Sequence, residues 1–349
     1  MPDLLLFVVV IGVLILGHEF GHYVAARLTG VHVEEFGIGF PPRLFTLFEA
    51  GGTKFTFNLI PLGGFVRPVG EDDPSVPGGL ASAPKRVRVA VLLAGSLANV
   101  LMAFLAFVAA YKFAAPDPNR VMVAAVEAET PAATAGLLPG DLILSIDRDT
   151  VSGIPSLQEA ISSRVGTEIT LSLDRDGQPL AISLIPRVEY PSDQGPIGIV
   201  VGNPTRDSTW GEALGLGWQS TWGQFDEMIH LPGRLISGEI TPDQARVSGL
   251  KGMYDMLSWA GMIDRSAQRP FLTLNLIGLI SVGLAIANML PFPALDGGRL
   301  LFVAIEAILG RRLSPRYEGL AHAIGFIVLL ALMVYINFQD FLNPINLPR

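Results

Sequence analysis

Residues 15–26 read ILGHEFGHYVAA, and the run before them, LLLFVVVIGVLILG (4–17), has no charged or polar side chain. His18, Glu19 and His22 therefore fall in the far half of an apolar segment. A helix needs about 20 residues to cross roughly 30 Å of hydrocarbon, and residues 4–26 meet that length. Positions i and i+4 of a helix share one face, so His18 and His22 can reach one ion, and Glu19 beside the first can act on water there. A five-residue H-E-x-x-H match also arises by chance, and two helix histidines satisfied by neighbours are the ordinary alternative. Burying His and Glu deep in a membrane costs a few kcal/mol each. That cost argues for a cation site.

The rest of the chain supports a membrane setting. Of 349 residues, 50% are hydrophobic and 16% charged, against about 25% charge in a soluble domain. Three further stretches are long and apolar enough to span: 89–111, 271–290 and 319–338. Only Met-Pro-Asp precedes the first stretch, with no basic region and no small-residue cleavage site, so it reads as retained rather than as a signal peptide. The absence of cysteine excludes disulfides and thiolate ligands, and no basic block marks a nucleic-acid partner.

Of the connecting segments, 27–88 carries seven Lys and Arg and 291–318 four, while twelve are spread over the long 112–270 region, which crosses regardless of its charge. By the positive-inside rule 27–88 and 291–318 face the cytoplasm, and both termini and the long 112–270 region face outside. The histidines then lie toward the cytoplasmic half of the first span.

Four regions follow: a membrane core at 1–113, a compact β-rich domain at 119–202, an amphipathic segment at 205–265 and a second membrane core at 270–349. Within the first, TKFTFNLIPLGGFV (53–66) is β-prone and apolar. It reads as a small buried hairpin or as one dipping into the membrane edge beneath protein cover. Residues 70–84 form a polar Pro/Gly-rich linker. Trp210, Trp218 and Trp222 recur at multiples of four and predict an interfacial helix, with a packed loop domain as the alternative.

A catalytic zinc takes three protein ligands and one open position. The third histidine of an HExxHxxGxxH enzyme is missing, since Ala25 and Leu28 stand there. Glu34, Glu35 and Glu49 are nearby acids. NMLPFPALDGGR (288–299) offers Asp296 from a distance: Pro291 and Pro293 end the third span, and an unwound segment there could aim the carboxylate at the ion. Alternatively, Asp296 caps the helix that follows.

Taken together, the chain resembles the site-2 protease family of intramembrane zinc metalloproteases. HEFGH in the first span, EFGIGFPPRLF (35–45), LIPLGGFV (59–66), RVRVAVLLAGSLANVLMA (86–103) and NMLPFPALDGGRLLF carry the likeness over nearly the whole chain. Gly95-Ser96, where the family commonly has Gly-Pro, and VSGLKGM (247–253) depart from it. The resemblance implies Zn²⁺ held by His18, His22 and Asp296, Glu19 as base, and Asn288 as a residue that holds substrate. It implies a polytopic α-helical membrane protein of four transmembrane helices, a membrane-associated β-hairpin, and an inserted extracytoplasmic PDZ domain of β-rich α+β type. TPAATAGLLPGDLILSIDRDTV (130–151) carries the PDZ likeness, and Gly195, Ile197, Gly198 and Ile199 fall where a peptide-carboxylate loop belongs.

The activity implied is hydrolysis of peptide bonds within single-pass membrane proteins in a bacterial cytoplasmic membrane, with anti-sigma factors or remnant signal peptides as substrate types. The PDZ would capture a peptide C-terminus or exclude bulky ectodomains. A transmembrane helix hides its peptide bonds and must unwind before attack. Phe57, Asn58 and Leu59 are the expected strand edge on which it pairs. The rival readings are a non-catalytic membrane scaffold presenting a PDZ domain and a zinc transporter. The intact motif opposes the first, and the lack of repeated halves opposes the second.

Overall fold

The computed structural model describes residues 3–71, 73–191, 194–241, 245–267 and 269–345. Two compact units result, Met1–Ala110 with Trp210–Arg349, and Tyr111–Thr209. The first unit opens with α1 (Asp3–Leu28), β1 (Val33–Ala50), β2 (Thr53–Pro68) and α2 (Lys85–Ala114). At 1.5 Å per residue α1 is about 39 Å long, enough to cross a bilayer.

The long strands β1 and β2 each bend and pair twice. The second half of β1 runs antiparallel to the first half of β2, from Ala50↔Thr53 to Arg43↔Asn58. The first half of β1 meets β2 on both its sides: Glu35↔Lys54 to Ile38↔Phe57 in rising register, and Val33↔Pro68 to Ile38↔Gly64 antiparallel. The lateral order is therefore 43–50, 53–58, 33–40, 64–68. One buried carboxylate ties all four segments. Glu35 accepts from Thr56 Oγ1 at 2.8 Å and forms ion pairs with Arg43 at 3.0 Å and Arg67 at 3.1 Å.

Two expectations are corrected here. Glu35 is consumed by the sheet and is no metal ligand; Glu34 and Glu49 are exposed and outside the metal-competent cluster. Phe57 and Asn58 do not form a free edge, because the segment 53–58 is flanked on both sides. Asn58 is buried, with Nδ2 donating to the Gly39 carbonyl at 3.0 Å. Leu59, just beyond that inner segment, is exposed. The outer segments are 43–50 and 64–68.

The second unit comprises β3 (Ala115–Pro116), β4 (Val121–Val126), α3 (Pro131–Ala135), β5 (Leu142–Ile146), β6 (Asp149–Thr150), α4 (Ile154–Ser162), β7 (Ile169–Arg175), β8 (Gln178–Leu184), β9 (Ile199–Gly202) and β10 (Thr205–Arg206). Its sheet runs β8-β7-β5-β4-β9, with β6 beside β5. Alternate residues point inward, so Ile169, Leu171 and Leu173 of β7 join Ile143, Ile146 and Leu157 in one core. Thr130 caps α3 by accepting from the Ala133 N–H, Pro131 opens the helix, and Gly136 ends it in the left-handed region. The unit begins and ends beyond the expected 119–202, because β3 and β10 pair across its base.

Asp141 is buried, and the Arg175 guanidinium holds its carboxyl below the usual carboxylate range through bonds of 2.6 and 2.7 Å. A depressed folded-state pKa contributes stability above the unfolded value of about 3.9, and that stability is lost as pH falls through the folded value. Asp141→Asn is expected to weaken hydrogen-exchange protection of β5 and β7 in the full chain at neutral pH. The difference from wild type, compared at each pH, should narrow as pH falls below about 4. A constant difference would refute the linkage.

The chain returns through α5 (Trp210–Ile236), α6 (Leu250–Ala267), α7 (Phe271–Met289), α8 (Asp296–Leu309) and α9 (Pro315–Leu342). Helices α1, α2, α7 and α9 are the four long apolar spans anticipated. The segment 205–265 holds two helices rather than one interfacial helix: α5 stops before Gly238, which adopts φ +76°, and α6 begins twelve residues further on. Trp210, Trp218 and Trp222 are exposed on α5 as their spacing suggests.

Carboxylates on neighbouring helices hold the helix starts. Asp340 of α9, buried, accepts from the N–H groups of Gly249 at 2.8 Å and Gly252 at 3.0 Å. Asp264 of α6 accepts from Leu272 and Thr273 at 2.9 and 2.8 Å and so caps α7. Arg88 at the start of α2 pairs with Glu306 of α8, both buried. That pair fixes α8, and with it Asp296, against the start of α2.

Candidate metal centre

Helix α1 presents His18 and His22 on the side facing α2, and Glu19 toward the 64–68 segment of β2. Close approach requires small residues. A Cβ on Gly21 would lie 2.4 Å from the Ala94 carbonyl oxygen, and one on Gly95 would lie 2.3 Å from His22 Nε2. The third element is the turn between α7 and α8, where Pro291 and Pro293 stop the helix. Ala294 adopts φ +80°, and its N–H donates to His322 Nδ1 of α9 at 2.8 Å. The turn is thus held in a conformation that a non-glycine residue adopts only under constraint.

Asp296 is the first residue of α8, and no side chain caps that helix. Its carboxylate points instead at the histidines: Oδ2 is 3.1 Å from His18 Nε2 and 3.2 Å from His22 Nε2, which are 3.1 Å from each other. The capping alternative for Asp296 fails on this geometry. Ligand atoms of a tetrahedral zinc site, with bonds of about 2.0–2.1 Å, are separated by about 3.3–3.4 Å. The triangle of two imidazole nitrogens and one carboxylate oxygen is close to that size, so the donor set fits zinc. Asp296 Oδ2 is buried and has no hydrogen bond of good geometry among the described residues, as expected of an atom placed for a cation. His22 Nδ1–H donates to the Val91 carbonyl at 2.8 Å, which leaves the Nε2 lone pair facing the triangle.

A polar cleft of about 200 Å³ opens on this cluster. Glu19 and Asn288 line it, together with Val66 and Pro68 from the outer segment of the sheet. The Glu19 carboxylate lies beside the Val66 backbone. The structure thus brings together His18, Glu19 and His22 from one segment and Asn288 and Asp296 from another some 270 positions on. Phe57, Asn58 and Leu59 are not among the cleft-lining residues. Gly195, Ile197, Gly198 and Ile199 belong to the other unit, in the turn into β9. The Ile197 carbonyl accepts from Ala132 at 3.0 Å, and Gly198, at φ +76°, packs on Thr130. Residues 64–68 were not anticipated as an edge, nor was Asn99 as a neighbour of the histidines. The signal for Asn99 was present, since an amide stands in the largely apolar span 89–111.

Two histidines and a glutamate on a membrane-length helix, closed by an aspartate from a distant turn, define a membrane-embedded metallohydrolase centre. The model of Peptidase family M50 matches residues 6–332, and the chain belongs to that family. It is 30% identical to a protein of Agrobacterium fabrum named as a zinc metalloprotease, over 96% of this chain and 94% of that one. It is 27% identical to the metalloprotease MmpA of Caulobacter vibrioides over 95% and 93%, and 28% identical to a zinc metalloprotease homologue of Clostridium perfringens over 95% and 96%. The chain is a zinc metalloprotease with several membrane spans.

Proposed function

We propose that this chain cuts peptide bonds inside the membrane segments of single-pass proteins, with His18, His22 and Asp296 holding zinc and Glu19 moving the proton. The observation that carries the reading is the meeting of Asp296 Oδ2 with both Nε2 atoms at 3.1–3.2 Å, at the wall of a polar cleft shared with Glu19. Zinc, when bound, supplies a Lewis acid that polarises a carbonyl and acidifies water. Glu19 takes a proton from the attacking water as its oxygen bonds to the peptide carbon. Glu19 then passes that proton to the departing nitrogen as the C–N bond breaks. Asn288 offers its amide to the substrate backbone.

The unwound substrate is proposed to pair with the outer segment 64–68 rather than with 57–59. Val66, whose backbone meets Glu19, lies there, so a strand added at this edge would pass directly before the proton acceptor. The basic segments 27–88 and 291–318 are proposed to face the cytoplasm of a bacterium, with the termini and residues 111–209 outside. That unit is proposed as a PDZ domain, with the free outer strand β9 following its Gly195–Gly198 turn. Its role in this reading is to hold back proteins whose ectodomains have not been trimmed.

Substrate unwinding sets the test. Gly costs a helix about 1 kcal/mol and Pro about 3 kcal/mol relative to Ala, so a Gly-Pro pair near the cut should speed cleavage about tenfold or more over a poly-Leu segment. Reconstituted enzyme with matched transmembrane substrates, and Glu19→Gln as the blank, gives the comparison. Equal rates for the two substrates would remove the unwinding step.

A further inference from the structure

Both histidines need their outer ring nitrogen held if Nε2 is to face a metal. For His22 the Val91 carbonyl does this. For His18 the partner is a side chain. Asn99 of α2 is fully buried, and its amide lies 3.2 Å from His18 Nδ1. The structure places Nδ2 toward the ring, while Oδ1 is buried with no partner among the described residues. Amide O and N are assigned from their surroundings rather than seen, and a half turn of the group exchanges the two atoms. A neutral imidazole that lends Nε2 to a metal carries its proton on Nδ1 and requires an acceptor there. The partnerless Oδ1 is that acceptor. The backbone at this point is also fixed, because the buried Ser281 Oγ of α7 donates to the Asn99 carbonyl at 2.8 Å.

We infer that Asn99 is a positioning residue of the metal centre, accepting the His18 Nδ1 proton through Oδ1 and so directing the Nε2 lone pair at zinc; the inference rests on the metal site proposed above. Helix α2 then sets both ligand tautomers from one side, at Val91 and, two turns on, at Asn99. The choice of an amide has a physical reason. Zn²⁺ with one carboxylate and two neutral imidazoles leaves a net charge of +1. A carboxylate at position 99 would add a negative charge in full burial, beside a centre that already has Asp296 and Glu19. Asn supplies the acceptor without the charge.

The test uses the full-length protein in detergent micelles and zinc alone, titrated in competition with a fluorescent chelator. Asn99→Leu, close in volume but without an acceptor, is expected to weaken zinc binding about 10–100-fold. The unfolding temperature of the metal-stripped protein should stay where it is in wild type. Asn99→Asp keeps the acceptor, and its added charge, costly in the metal-stripped protein, is offset by the +1 zinc centre, so it should bind zinc no more than a few-fold less tightly than wild type. Asn99→Ser, too short to reach Nδ1, serves if the Leu variant does not fold, and the same loss is expected of it. Wild-type affinity in the Leu or Ser variant overturns the inference alone. Equal losses in the Leu and Asp variants overturn it too, since they would assign Asn99 to packing. A wild-type protein that binds no zinc overturns the proposed metal site as well.

Discussion

Glu19→Gln is expected to slow cleavage by about 10²–10⁴-fold, the usual contribution of a positioned proton-transfer group, and to leave zinc bound. Glu19 is not one of the three converging donors, which come from His18, His22 and Asp296. Gln keeps the shape beside the Val66 backbone, but it cannot take a proton from water. The measurement pairs single-turnover cleavage of a reconstituted membrane substrate with zinc content of the same preparation. Zinc lost together with activity would make Glu19 a ligand. Activity kept with zinc would remove it from the chemistry.

The second large effect comes from a residue with no functional group. Gly95→Ala would put a methyl carbon 2.3 Å from His22 Nε2 and 2.7 Å from His18 Cε1. His22 cannot turn away freely, since its Nδ1 is held by the Val91 carbonyl on the same helix that carries the new methyl. Overpacking of this kind costs about 1–3 kcal/mol. Here the cost falls on the ligand triangle, so zinc affinity should drop about 10–100-fold. Ser96→Ala is the matched control. Its buried hydroxyl has no partner among the described residues, and removing it should leave zinc affinity within about twofold of wild type. If Gly95→Ala bound zinc as wild type does, α2 would not lie against the histidines.

These effects separate what could be read from residue order from what could not. The helical half of the metal site was legible because buried polarity is costly: His18, Glu19 and His22 in an apolar run have few ordinary explanations, whereas Asp296 could equally have capped the helix after it and was singled out by the family resemblance. The spans were legible for the same reason. The sheet was not. Whether Phe57 lies at an edge or in the middle depends on which segments flank it, and residues 33–40, which pair on both sides, carry no local mark of that. Glu35 drew attention as an acid near HExxH, while its actual partners, Arg43, Thr56 and Arg67, are collected only when the sheet folds. The break between α5 and α6 escaped because the tryptophan spacing describes one face of one helix and says nothing of where that helix stops. Asn99 was visible as a polar residue in a span, but its task depends on how α1 and α2 cross.

The pairing of Ala115 with Arg206 and of Pro116 with Thr205 has an architectural consequence. The chain departs from the end of α2 and comes back toward α5 through a gap of one strand spacing, about 5 Å. To the membrane body, everything between those residues counts as a tight connection, whatever its length, once the insert has folded. Val108 of α2 can pack against Gly217 of α5 with little added loop-closure entropy. The inserted unit is therefore a cassette. Another domain with adjacent ends could be spliced at the same doorway while the metal centre stays as it is.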